Sequence, residues 1–141
     1  MAASENPITL LGLDHVVIRA QDARTMIRFY CDVVGCAEER LRDDLGLYHL
    51  RAGRALIDLV AVDGPLGRKG GPAPGAAGRN MDHLCLRIAD FDEARIRAHL
   101  AAHGVAADEV ASRFGAEGDG PSLYFRDPEG NTIELKGPSS S

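Results

Sequence analysis

The sequence predicts an α+β fold made of two successive β-α-β-β-β units, and three observations predict it. First, one pattern occurs twice: Leu13-Asp14-His15-Val16-Val17-Ile18-Arg19-Ala20-Gln21-Asp22 returns as Met81-Asp82-His83-Leu84-Cys85-Leu86-Arg87-Ile88-Ala89-Asp90. Such self-similarity marks a duplicated structural unit. Second, each copy alternates apolar and polar residues as a strand does and then runs into residues at helical spacing. Third, residues 63–80, rich in Gly, Pro and Ala, separate the two copies.

The alternation over 12–20 predicts the first strand. Asp22 then stands as the cap of a helix whose apolar Met26, Ile27, Phe29, Tyr30, Val33 and Val34 keep helical spacing up to Gly35. Three shorter strands are expected at 37–41, 46–51 and 55–62, with Asp43-Asp44 and Gly53 as turn signals, so the first unit spans 11–62. The 63–80 stretch has too little apolar surface to offset the entropy of ordering it and is expected to be a flexible linker. The second unit, 81–137, repeats the order. It has a strand at 81–88, then a helix capped by Asp90 that contains Ala94, Ile96, Ala98, Leu100 and Ala101 and stops at Gly104. Strands are then expected at 105–111, 122–125 and 132–136. Asp127-Pro128-Glu129-Gly130-Asn131 is a turn sequence that joins the last two as a hairpin. The 141 residues read as one domain, with a frayed end at 139–141.

Composition narrows the function classes. A chain that is 45% hydrophobic and 26% charged suits one compact domain. With 16 basic against 21 acidic residues and no Lys/Arg cluster, it lacks the means to neutralise a phosphate backbone, which argues against a nucleic-acid partner. No apolar run is long enough to cross a bilayer and no secretory pattern opens the chain, so no membrane partner and a cytoplasmic location are expected. Cys31, Cys36 and Cys85 are odd in number and lack a CxxC pair, which argues against a disulfide framework or a thiolate zinc site.

The chemistry-bearing residues are doubled along with the strands. His15 and His83 occupy the same place in the two copies, and each half closes on a strand with an acid among apolar neighbours, Asp58 in the first and Glu134 in the second. Taken singly, a strand histidine is most often a hydrogen-bonded rim residue, and an acid such as Asp58 is most often turned to solvent by the alternation. Their coincidence in a repeat favours a metal site. Two imidazoles and two carboxylates suit a borderline divalent ion such as Ni, Zn, Co, Mn or Fe and leave two octahedral positions open for substrate or water. His99 and His103 also have a ligand spacing, but the helix between them lacks a glutamate and is flanked by Arg95 and Arg97, so they are read as part of a solvated helix. His49 has no evident counterpart in the second half.

The paired strands around His15 and His83, the helix end Phe29-Tyr30-Cys31-Asp32-Val33-Val34-Gly35 and the closing hairpin from Leu123 to Leu135 together resemble the vicinal oxygen chelate superfamily, which includes glyoxalases, bleomycin-resistance proteins and extradiol dioxygenases. The resemblance runs from Leu11 to Lys136. It implies that each unit curls into part of a cup-like mixed sheet and that a divalent metal sits on the inner strand faces, with His15, Asp58, His83 and Glu134 at the four ligand positions. It also implies a homodimer that binds a small molecule, in some members with ligands from both chains completing the site.

Within the superfamily the chain looks most like glyoxalase I. That resemblance implies a metal-dependent lyase or isomerase that acts on a hemithioacetal or similar vicinal-oxygen substrate, with glutathione as co-substrate, Glu134 as the proton-transferring carboxylate and Arg19 holding the glutathione carboxylates. Two positions depart from it: Asp58 stands where glyoxalase I has glutamate, and Val62 where it has an asparagine that contacts glutathione. Without Asp58 the set becomes His15, His83 and Glu134, which resembles that of extradiol dioxygenases and fosfomycin-resistance thiol transferases. Bleomycin-resistance proteins of the same fold bind a drug without catalysis.

Overall fold

The structure is a computed structural model that describes residues 6–140. Its elements follow the duplicated order. β1 (His15–Ala20) leads through Asp22 into helix α1 (Ala23–Phe29), and Asp22 caps the helix by accepting from the Thr25 amide at 3.1 Å. The helix widens into a π-helical turn over Tyr30–Val34 and stops at Gly35. β2 (Ala37–Arg42), β3 (Leu47–Ala52) and β4 (Ala55–Ala61) complete the first unit. The two-residue connection Gly53–Arg54 requires a left-handed residue, and Gly53 supplies it at φ +62°. The second unit comprises β5 (Leu84–Arg87), α2 (Glu93–Ala102), β6 (Ala111–Gly115), β7 (Gly118–Arg126) and β8 (Thr132–Lys136).

Each unit forms a four-stranded mixed sheet of the same topology, in the order β1-β4-β3-β2 and β5-β8-β7-β6, with the first pair parallel in each. This is the α+β architecture of two modules that the repeat implied. One apolar cluster serves both modules: Ile18, Met26, Ile27, Phe29, Tyr30, Leu50, Ile57 and Leu59 from the first pack with Leu100, Leu123, Phe125 and Ile133 from the second. Phe29 meets Tyr30 edge-on at 5.6 Å and Phe125 at 6.2 Å, so aromatic packing crosses the module boundary. Polar contacts cross it as well. The Glu129 carboxylate accepts from the amides of Gln21 and Asp22 at 2.8 and 2.7 Å, and Asn80, at the end of the 63–80 segment, bridges the modules by bonding the amide and the carbonyl of Arg19 and the side chain of Asn131.

Several details differ from the sequence expectation. The second helix is capped by Asp92, which accepts from the Arg95 amide at 3.1 Å, and not by Asp90, because the helix starts only at Glu93. The strand expected at 105–111 is not formed beyond an isolated bridge between Ala107 and Phe125, and the partner of β7 is instead β6, from Ala111. β7 itself begins at Gly118, earlier than the expected 122, because the connection through Ala116 and Glu117 is tight. The 63–80 segment, read from composition as a linker, carries a 3-10 turn over Gly67–Gly70 and is tied to β1 by Arg19, whose guanidinium donates to the carbonyls of Gly67, Gly71 and Pro72 at 2.9 to 3.1 Å. Among the described residues, no helix is long and apolar enough to cross a membrane.

Candidate metal centre

Alternation along β1 sends Ile18 and Ala20 into the core and leaves His15, Val17 and Arg19 on the opposite face of the sheet. On β4, Asp58 shares that outer face. His15 pairs with Leu56 across the parallel ladder, so Asp58 stands two residues beyond the position facing the histidine. The second module repeats the offset: His83 immediately precedes Leu84, whose partner is Ile133, and Glu134 follows. Identical register thus brings one imidazole and one carboxylate together in each half. His83 Nε2 lies 3.2 Å from Glu134 Oε1, and His15 Nε2 lies 4.0 Å from Asp58 Oδ2.

Each imidazole is held on its other side by the preceding residue. His15 Nδ1 bonds Asp14 Oδ2 at 2.7 Å, and His83 Nδ1 bonds Asp82 Oδ2 at 2.6 Å. Each Nδ1 is thus met by the carboxylate of the preceding aspartate, while each Nε2 faces the carboxylate of the paired strand. The hydrogen bond with Asp14 raises the His15 pKa above its usual value; the charge of Asp58 adds to this and burial opposes it.

The two carboxylates are buried on the same faces, with Asp58 at 4% and Glu134 at 5% exposure. Each has a ring beside it on the next strand. His49 is the direct cross-strand partner of Asp58, and its Nδ1 lies 2.8 Å from Asp58 Oδ1. Tyr124 is the direct cross-strand partner of Glu134; its ring stands edge-on to His83 at 5.5 Å, under the Arg113 guanidinium. Desolvation, followed by the charge of Glu134, raises the Tyr124 pKa and keeps the phenol protonated. Cys85 faces Glu134 from the other side; burial, then the charge of Glu134 and a hydrogen bond to it, pushes its thiol up to about 11. His49 therefore does have a counterpart, Tyr124, at the matching register position.

Two ligands at about 2.1 Å and a right angle are about 3 Å apart. The His83–Glu134 pair matches that edge, whereas the His15–Asp58 pair is wider, as the missing methylene of aspartate requires. Among the described residues, no three His, Cys, Asp or Glu side chains converge on one point, so a single chain presents the four expected ligands as two separate pairs. A groove of about 430 Å³ between the end of α1 and α2 holds none of the four. His99 lines that groove and donates Nε2–H to the Val33 carbonyl at 2.8 Å, and its ring contacts His103. The Arg19 guanidinium is engaged with the 67–72 backbone.

Comparison with known proteins agrees with this architecture. The family described as Glyoxalase/Bleomycin resistance protein/Dioxygenase superfamily matches residues 12–135. The chain is 30% identical over 125 residues to virulence protein STM3117 of Salmonella typhimurium, covering 87% of this chain and 81% of that protein. The crystal structure of that protein superposes with a TM-score of 0.77 at 24% identity, covering 94% of this chain and all of that one. The fold also matches lactoylglutathione lyase from Agrobacterium tumefaciens (TM-score 0.65, 22% identity, 92% and 95% of the chains) and the fosfomycin resistance protein FosX from Mesorhizobium loti (TM-score 0.65, 19% identity, 94% and 96%).

Proposed function

Because the chain belongs to the Glyoxalase/Bleomycin resistance protein/Dioxygenase superfamily, we propose that it is a divalent-metal-dependent, glyoxalase I-like lyase or isomerase acting on a small substrate with two adjacent oxygens. One observation carries this reading: two histidine–carboxylate pairs at identical register, each imidazole with Nδ1 bonded to the preceding aspartate and Nε2 turned toward the paired carboxylate. Two pairs on separate sheets complete a four-ligand shell when two copies of the chain meet, His15 and Asp58 of one facing His83 and Glu134 of the other. Exposed apolar residues on the N-terminal arm support a homodimer: Ile8, Leu10, Leu11 and Leu13 are 68 to 99% exposed. Such a surface is costly to leave in water.

The donor set of two imidazole nitrogens and two carboxylates fits Ni, Zn, Co, Mn or Fe. A bound ion would supply Lewis acidity, gripping both substrate oxygens and stabilising negative charge that develops on them. Glu134 does the proton work. It is buried beside the substrate position, takes a proton from one substrate carbon and returns it to the neighbouring carbon, while Tyr124 and Cys85 flank it from the two adjacent strands. The Asp14 and Asp82 carboxylates keep the two imidazoles in their binding tautomer.

The 4.0 Å gap at Asp58 favours a second reading, in which His15, His83 and Glu134 form the shell alone and leave three positions open. That set suits thiol addition of the fosfomycin-resistance type or extradiol oxygen chemistry. Ni, Co, Zn, Mn and Fe(II) forms should be assayed against the hemithioacetal of methylglyoxal and glutathione, against fosfomycin with a thiol, and against catechols. Isomerase activity supports the first reading. Oxygen uptake with a catechol, or thiol addition to fosfomycin, without isomerase activity supports the second.

A further inference from the structure

We propose that His49 is a positioning residue for Asp58, holding one carboxylate oxygen so that the other serves as a single metal donor; this rests on the metal-site reading above. The register makes the contact a built feature. His49 and Asp58 are direct partners across β3 and β4, as Tyr124 and Glu134 are across β7 and β8, so each candidate ligand carboxylate is met by one ring from the adjacent strand. The rings differ, and so do the acids. Glu134 reaches to within 3.2 Å of His83 Nε2, while Asp58, one methylene shorter, stops at 4.0 Å from His15 Nε2.

A free aspartate carboxylate rotates and offers two equivalent oxygens. Here His49 Nδ1–H donates to Oδ1 at 2.8 Å, which fixes the carboxylate plane and leaves Oδ2 directed at His15. The Asp58 side chain is 6% exposed and that of His49 is 21% exposed, so water competes little for the bond. The ordering entropy that a short, loosely held ligand would lose on binding metal has then been spent in the fold. Outer-shell contacts of this type typically change metal affinity by about 10 to 100-fold.

The test uses Co(II), whose visible absorption reports the ligand set, titrated into the full chain and its variants. His49→Ala removes the donor, whereas His49→Asn places an amide nitrogen where Nδ1 stands. Circular dichroism and the Tm of the metal-free proteins confirm folding. His49→Ala is expected to bind Co(II) about 10 to 100-fold more weakly with shifted bands, and His49→Asn to restore both affinity and bands. In an Asp58→Ala background, His49→Ala should change nothing further, because the effect runs through Asp58. The proposal is overturned if His49→Ala keeps the unsubstituted affinity and bands, if folded His49→Asn behaves like His49→Ala, or if His49→Ala still weakens binding in the Asp58→Ala background. Failure of the unsubstituted chain to bind Co(II) at all would overturn the metal-site reading itself, and the proposal with it.

Discussion

Tyr30 donates its hydroxyl to Asp127 Oδ2 at 2.7 Å, a buried bond between the π-helical turn of the first module and the hairpin turn of the second. Desolvation and the nearby Asp127 charge push the phenol pKa far above its usual value, so it is a donor at every accessible pH. Asp127 also accepts from the amides of Glu129 and Asn131 and from the Asn131 side chain. Tyr30→Phe keeps the ring in the core and removes only the bond. It should destabilise the chain by about 1.5 to 3 kcal/mol, the range for a hydrogen bond to a charged group. Urea denaturation measures this, and an unchanged midpoint would show that the two modules do not depend on the contact.

Arg19 should act on the 67–72 segment before it acts on any substrate. Three carbonyls of the segment hold its guanidinium, and a Cβ at Gly70 would lie 2.6 Å from Arg19 Nε. Arg19→Ala and Gly70→Ala should therefore both speed proteolytic cleavage near 67–72 while leaving Co(II) affinity unaltered. If Arg19→Ala left cleavage unchanged and instead raised KM for a glutathione-derived substrate, the arginine would be a substrate contact.

How much of this was legible depends on what the residues themselves encode. The duplication, the Asp22 cap and the alternating strands made both β-α-β-β-β modules readable, and the repeat also aligned His15 with His83 and Asp58 with Glu134. The early start of β7 was not legible because the glycines at 115, 118 and 120 carry no strand pattern. In the fold they are small because other chain segments pass close: a Cβ at Gly115 would lie 2.8 Å from Lys136 Cε, and one at Gly120 would lie 2.7 Å from the Pro138 carbonyl. Glycine in a strand interior marks such approaches, and those approaches are tertiary. His49 was missed as a member of the site because its counterpart is a tyrosine, so no residue identity repeats. Spacing was the usable signal: His49 precedes Asp58 by nine residues and Tyr124 precedes Glu134 by ten.

Cys85 should be a slow nucleophile although it is exposed. Burial of its sulfur and the charge of Glu134 hold the thiol pKa at about 11, so little thiolate exists near neutrality. Iodoacetamide should modify Cys85 of the native protein more slowly at pH 8 than a peptide cysteine, with the rate still climbing above pH 9. Substitution of Glu134 by Gln should accelerate the reaction. A rate that levels off near pH 8.5 would contradict the proximity of the two groups.

The pH dependence follows from His15, whose folded pKa lies above the usual 6.5. A raised folded value means that the protonated form favours the native state. Its contribution to metal-free stability is full below pH 6.5 and is lost as pH rises through the folded value. Metal binding runs the opposite way, since Nε2 must be deprotonated to bind. Denaturation of the metal-free chain at pH 6 and pH 8 should show a pH-dependent component that His15→Gln removes, and Co(II) affinity should fall as pH drops toward 6. A His15→Gln variant with the unsubstituted stability profile would contradict the assignment.

If the His15–Asp58 and His83–Glu134 pairs form one metal centre when two copies meet, mixing two defective variants should rebuild that centre. His15→Ala and Glu134→Ala homodimers each lack one ligand in every site. Unfolded together and refolded as a mixture, they form heterodimers in which one shared site carries both substitutions and the other carries none. The account predicts that each variant alone binds Co(II) weakly, and that the mixture regains tight binding and the unsubstituted absorption bands at about a quarter of all sites. A mixture that binds no better than the separate variants would contradict it.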